Sequence, residues 1–175
     1  IEETGTCQHL RDSRITTIYE GTTGIQAADL AGRKLNMDQG AAMRALIADI
    51  EQTGEELGRG AGDDLAAIRS GLAEGVQALA EATDWMLAAP GADHAMAVSV
   101  DYLMLAGFVC GGWQMARAAL VAERKLRAGE DPSFHEAKLI TARFYADHIL
   151  PKAGALRASI KNGGVSILAL AEEQF

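Results

Sequence analysis

The sequence predicts an all-α, up-and-down helical bundle, and three observations predict it. Alanine dominates an apolar fraction of 49%, while aromatic residues make up only 5%. Alanine is the strongest helix former, whereas strands favour β-branched and aromatic residues. Apolar residues recur three and four apart between breaks rich in Gly, Pro and Asp, the spacing of one buried helix face. No stretch of useful length alternates with period two, which a half-buried strand requires.

Taken in order, Ile1 to Tyr19 reads as a short helix or turn, followed by an irregular connection through Arg11-Asp12-Ser13-Arg14. Thr22 or Thr23 can cap a helix running through Ile25, Leu30 and Arg33 to about Leu35. Asn36 to Gly40 breaks the pattern. Met43, Leu46, Ile47, Ile50 and Leu57 then form one apolar stripe, ended by Gly58-Arg59-Gly60-Ala61-Gly62. Asp63 is a suitable cap for the next helix, whose stripe is Leu65, Ile68, Leu72, Val76 and Leu79 and which reaches Ala88. Pro90-Gly91 stops it, and Asp93 is placed to cap the helix after it.

The longest helix is expected from His94 to Arg127. Its middle is apolar nearly all round, which puts it at the centre of the bundle, and Arg124, Lys125 and Arg127 suit the negative end of its dipole. Gly129 to Pro132 makes a turn with Pro132 at a first helical position. A helix over Ser133–His148 comes next. Pro151 kinks or restarts the chain before a segment to Lys161, closed by Asn162-Gly163-Gly164, and Ile167 to Phe175 docks as a last turn. A shift from a Ser/Thr/Gly-rich opening to Ala-rich helices divides the chain into an opening, 1–37, and a helical scaffold, 38–175.

With 175 residues the chain can bury a real core. Its formal charge of -8 repels phosphate backbones, which argues against nucleic acid as a partner and requires any anionic ligand to be bound by local groups. Cys7 and Cys110 lack metal-ligand spacing, and a reducing, cytoplasmic setting suits them. Ile1-Glu2-Glu3-Thr4-Gly5 has no secretory signal character, and the abrupt opening reads as a piece of a longer chain. The most apolar run, Tyr102–Trp113, is shorter than the about 20 residues a membrane span needs. The four histidines, His9, His94, His135 and His148, are scattered without metal-site spacing. Trp85 and Trp113 with Met86, Met96, Met104 and Met115 read as core or interface, and Arg117, Arg124, Lys125 and Arg127 as a solvated helix end.

Chemistry concentrates in Arg11–Leu35. Glu20 stands before a helix start, with Ile18 and Tyr19 on one side and Gly21, Thr22, Thr23 and Gly24 on the other. Glycine permits close approach of a ligand. Threonine hydroxyls and the N–H groups of a first helical turn suit a phosphate or carbonyl oxygen. Apolar neighbours raise a carboxylate's pKa towards the range useful for proton abstraction. By themselves these features equally suit an ordinary carboxylate before a capped helix.

The stretch Ile15-Thr16-Thr17-Ile18-Tyr19-Glu20-Gly21-Thr22-Thr23-Gly24-Ile25-Gln26 resembles the acyl-CoA dehydrogenase signature around the catalytic glutamate, and Arg11 to Ile15 resembles the lead-in to it. The resemblance is close over Ile1–Leu35. Beyond Leu35 it is looser, to the helical domain appended to larger family members, including those acting on methylthio-substituted short acyl-CoAs. It implies a carboxyl-terminal portion of an FAD enzyme that desaturates acyl-CoA thioesters. Glu20 would be the base for the pro-R α-proton, its N–H would polarise the thioester carbonyl, Gly21 and Arg33 would lie on the substrate side, and Thr22, Thr23 and Gly24 would face FAD. Gly24 departs from the glutamine common in the family, so only its backbone could touch the cofactor. The family further implies an electron-transfer flavoprotein as acceptor and a homo-oligomer. Its amino-terminal and middle domains, which share in holding FAD, are absent here, so this piece alone is expected to bind FAD weakly or not at all and to be inactive. An acyl-CoA oxidase, a non-dehydrogenating flavoprotein relative and a structural oligomerisation module are the alternatives.

Overall fold

The computed structural model describes residues 5–18 and 21–174, and every regular element among them is helical. The first, α1, spans Thr6–Arg14 and passes into a 3-10 turn, Ile15–Thr17. Arg11 to Arg14 is therefore helical rather than irregular. Bonds within the segment sustain it: Gln8 Nε2 donates to Asp12 Oδ1 (2.9 Å), and Arg11 Nε donates to the Cys7 carbonyl (3.3 Å). No residue of α1 is buried.

Helix α2, Thr23–Ala28, continues through a π-helical turn, Asp29–Lys34, into α3, Leu35–Met37. Its inward residues Ala27, Ala31 and Leu35 fall at intervals of four and join the core side of the molecule. In a regular helix of 3.6 residues per turn that spacing drifts around the axis, and the wider π turn offsets the drift.

Four long rods come after it. Helix α4, Ala41–Leu57, and α5, Asp63–Ala88, carry the two stripes read from the sequence, with Ile47, Ile50, Leu57, Leu65, Ile68, Leu72, Val76 and Leu79 all buried. They run antiparallel, since Arg44 pairs with Asp84 across them (2.8 Å) while Gly58 meets Arg69 at the other end. After the short α6, Ala92–Ala97, comes α7, Ser99–Arg127, antiparallel to α5: Thr83 meets Tyr102 and Gly75 approaches Val109. Helix α8, Pro132–His148, and α9, Lys152–Ile167, lie end to end along the α5/α7 pair. Three pairings to α5 set that course: Arg143–Asp64 (3.2 Å), Ala146 against Gly71, and Arg157–Glu81 (3.4 Å). The result is the all-α up-and-down bundle. A final 3-10 turn covers Glu172–Gln174.

Four local expectations are corrected. Asp63 and Asp93 do not cap; Gly62 and Gly91 hold the cap positions, and the two carboxylates sit inside the first turn, where they still favour the positive helix end. The helix expected over His94–Arg127 breaks at Val98 (φ -114, ψ 12). Asn162-Gly163-Gly164 does not close a helix, because α9 continues to Ile167. The last two share a cause. A Cβ on Gly163 would lie 3.2 Å from Val98 Cγ1, and one on Gly164 would lie 3.3 Å from His94 Cδ2. These glycines let α9 close onto α6 and the break, a packing device rather than a stop.

Burial of apolar side chains holds the bundle together, at about 25 cal/mol per Å² removed from water. The ion pairs between rods are exposed to water and screened, and add little to it. Within the core Thr83 Oγ1 and Tyr102 Oη share a hydrogen bond (2.8 Å), and Trp113 Nε1 donates to Thr53 Oγ1 (2.7 Å). Among the described residues no buried side-chain polar atom lacks a partner. Helix α7 is long and apolar enough to cross a membrane by length and composition. The core helix of a helical bundle meets the same criterion, and here α4, α5, α8 and α9 all pack on it.

Candidate active site

Glu20 and Tyr19 lie outside the described residues, so the described part of the site begins at Gly21. Gly21 has φ 85, a left-handed conformation that favours glycine. Thr22 is extended (φ -75, ψ 162) and caps α2: its Oγ1 accepts from the Ile25 N–H (3.3 Å) and its carbonyl from the Gln26 N–H (3.0 Å). Of the two threonines able to cap, Thr22 does so and Thr23 begins the helix. Thr23 and Gly24 are exposed in that first turn. A Cβ placed on Gly24 would have Thr22 Oγ1 at 3.9 Å, so the space beside Gly24 is open and Gly24 itself offers it only backbone. The Thr22 hydroxyl is already engaged as acceptor by the helix and retains its proton to donate.

Arg33 stands on the same continuous helix, ten residues beyond Thr23. At about 1.5 Å per residue, this is roughly 15 Å along the axis. The structure therefore brings Gly21 to Gly24 together and places Arg33 apart from them. Its guanidinium forks onto Asp29, Nε to Oδ1 at 2.6 Å and Nη2 to Oδ2 at 3.0 Å, and Lys34 adds a second cation at 3.4 Å. The hydrogen bond from Arg33 holds the Asp29 carboxyl below its ordinary range, and the same pairing raises Arg33. Asp29 escaped the sequence reading, although its four-residue spacing from Arg33 is the signal that would have found it.

Ile15, Ile18 and Ile25, the apolar residues of the signature, are 48%, 72% and 63% exposed. No described residue of this chain therefore covers that flank.

Elsewhere, no group of His, Cys, Asp and Glu among the described residues could hold a metal. His148 lies tilted against Phe144 (4.6 Å) and His135 meets Phe134 edge to face (5.1 Å). Met86 is buried, and Trp85, Met96, Trp113 and Met115 pack against the core, while Met104 stays 41% exposed. At the basic end of α7, Lys125 pairs with Glu130 (2.6 Å) and Arg127 with Glu123, as a solvated helix end should. Arg117 differs, lying over the Trp113 ring at 5.5 Å. Cys7 and Cys110 are free and part-buried.

Residues 41–171 match the acetyl-CoA dehydrogenase C-terminal-like family, and the chain belongs to it. It is also similar to three acyl-CoA dehydrogenases. The 3-methylmercaptopropionyl-CoA dehydrogenase of Ruegeria pomeroyi is 44% identical over 170 residues, covering 96% of this chain and 29% of that protein. The broad-specificity linear acyl-CoA dehydrogenase of Mycobacterium tuberculosis is 35% identical over 180 residues, with 96% and 29% covered. A butyryl-CoA dehydrogenase of Syntrophomonas wolfei is 28% identical over 181 residues, with 100% and 29% covered. The chain thus spans about 29% of the length of these relatives.

Proposed function

We propose that this chain is the carboxyl-terminal portion of a flavin-dependent acyl-CoA dehydrogenase. The observation that carries the reading is the 44% identity to a dehydrogenase of a methylthio-substituted short acyl-CoA across nearly the whole chain. In the sequence Glu20 directly precedes Gly21 and the Thr22-capped helix, which supports the assignment of roles.

In this reading the Glu20 carboxylate takes the pro-R α-proton of the acyl thioester, and its backbone N–H polarises the thioester carbonyl as charge moves onto that oxygen. Gly21 lets the substrate approach the backbone, and Arg33, steadied by Asp29, offers a positive charge to its anionic portion. Thr22, Thr23 and the Gly24 backbone face the cofactor. The exposed first turn, open beside Gly24, suits an anionic or carbonyl edge met by main-chain N–H groups. FAD, when bound, supplies the acceptor for the β-hydride.

Residues 1–37 are the end of the catalytic bundle and 38–175 an appended helical domain. An electron-transfer flavoprotein takes the electrons, and the assembled enzyme is a cytoplasmic homo-oligomer. Replacing Glu20 with Gln in the whole enzyme tests the reading, in a dye-linked assay of acyl-CoA oxidation. Turnover should fall at least about 10²–10⁴-fold, the usual contribution of a positioned base. Turnover near the parent rate would remove Glu20 from the mechanism.

A further inference from the structure

The groove between α7 and α8 holds uncompensated positive charge on an acidic protein. It is an open surface groove of about 420 Å³, and Gln114, Arg117 and Val121 of α7 line it with Phe134, His135 and Lys138 of α8. No carboxylate lines it. The other described grooves each carry at least one: Glu51 and Glu55, Glu74 and Asp147, Asp38, and Glu74 again.

Both fixed cations of this groove are oriented by neutral partners. The Arg117 guanidinium lies over Trp113 and donates to Gln114 Oε1 (3.0 Å). Lys138 Nζ sits 4.9 Å from the centre of the Phe134 ring. Among the described residues neither has a carboxylate within 4.0 Å, as Arg33, Arg44, Arg143 and Arg157 do; Arg69, Arg124 and Lys152 also lack one, but none of them shares a groove with a second such cation. Phe134 and Val121, 52% and 44% exposed, add apolar surface between the charges. At physiological ionic strength charges beyond about 8 Å are screened, so most of the net charge of -8 weighs little here, and the nearby Asp131 carboxylate is engaged by the Phe134 N–H (3.3 Å) at the start of α8.

A ligand that satisfies all these groups has a compact multiple negative charge joined to a flat apolar body. We propose that the α7/α8 groove is a binding site for a nucleoside phosphate. The phosphates sit between Arg117 and Lys138, with His135 beside them, and the base lies against Phe134 and Val121. This site is separate from Glu20 and from the acyl-CoA chemistry.

Titration calorimetry of the chain with ADP tests it, with adenosine and inorganic phosphate as separate probes. ADP should bind saturably, weaken as salt is raised, and exceed either half-molecule at least tenfold in affinity. The double substitution Arg117→Gln and Lys138→Gln removes two exposed charges, and should weaken ADP at least tenfold while leaving circular dichroism unchanged. Trp113 lies beneath Arg117, so ADP should also alter tryptophan emission. Trp113→Phe should remove that optical response and keep the calorimetric one. Absence of saturable ADP binding would overturn the proposal, as would ADP binding that the double variant weakens less than tenfold, or that exceeds adenosine or inorganic phosphate less than tenfold.

Discussion

Tyr102 is fully buried on α7 and shares a hydrogen bond with Thr83 of α5 (2.8 Å); with the Thr83 proton donated to the Leu79 carbonyl (2.8 Å), the Tyr102 hydroxyl donates to Thr83 Oγ1. Tyr102→Phe removes one partner, and Thr83 keeps the other. The expected loss is about 0.5–1.5 kcal/mol, read from the midpoint of urea unfolding. The same residue ties stability to pH. Burial raises the Tyr102 hydroxyl above its ordinary 10.0, against the opposing effects of Thr83 and Arg44. The folded chain therefore holds this proton more tightly than the unfolded one. That contribution is fully present below pH 10 and is lost as pH rises through the folded-state value. Burial raises Cys110 and Tyr145 too, so all three act in the same alkaline direction. The chain should lose stability in strong alkali, and Tyr102→Phe should flatten that loss; an equally steep fall in the variant would contradict the assignment.

Between elements, glycines let α7 approach α8 and the turn after it. A Cβ on Gly112 would stand 2.7 Å from Leu150 Cδ2 and 3.0 Å from Cδ1, and one on Gly111 would collide with the Tyr145 hydroxyl. That hydroxyl donates to the Phe108 carbonyl (3.1 Å), so it is held in place. Gly112→Ala should destabilise by about 1–3 kcal/mol through overpacking, partly offset by alanine's better helix propensity. Gly107, on the same helix, meets nothing within 4 Å. Gly107→Ala should instead stabilise by roughly 0.5–1 kcal/mol. Opposite signs for two identical substitutions, five residues apart in one helix, would show that contact between α7 and its neighbours, rather than propensity, decides the glycine at 112.

For the molecule as a whole, the signature residues Ile15, Ile18 and Ile25 stand exposed while the four-rod bundle is well buried. The scaffold has a buried core of its own, whereas the proposed active site has no covering wall from the described residues. The chain alone should therefore fold cooperatively without retaining flavin. An absorbance spectrum of the purified chain checks this: a stoichiometric yellow complex would show that 175 residues suffice to hold FAD. The expected absence of dehydrogenase activity in the chain alone rests on the same geometry.

The all-α class, the rods Ala41–Leu57, Asp63–Ala88 and Pro132–His148, and the signature around Glu20 were legible in the sequence. Each is written in neighbouring residues: a 3.6-residue apolar period between breakers, a Pro at a first helical position, a run of contiguous chemistry. The cap could be narrowed only to Thr22 or Thr23, because both have a suitable hydroxyl and the backbone alone distinguishes them. The break at Val98 and the passage of α9 through Gly163-Gly164 were decided by the tertiary structure. So was the convergence of Arg117, His135 and Lys138. In the break, the glycine passage and the groove, the partners are distant in the chain. Their geometry is set by how rods pack, where a missing Cβ or an unpaired charge matters only once its neighbour has arrived.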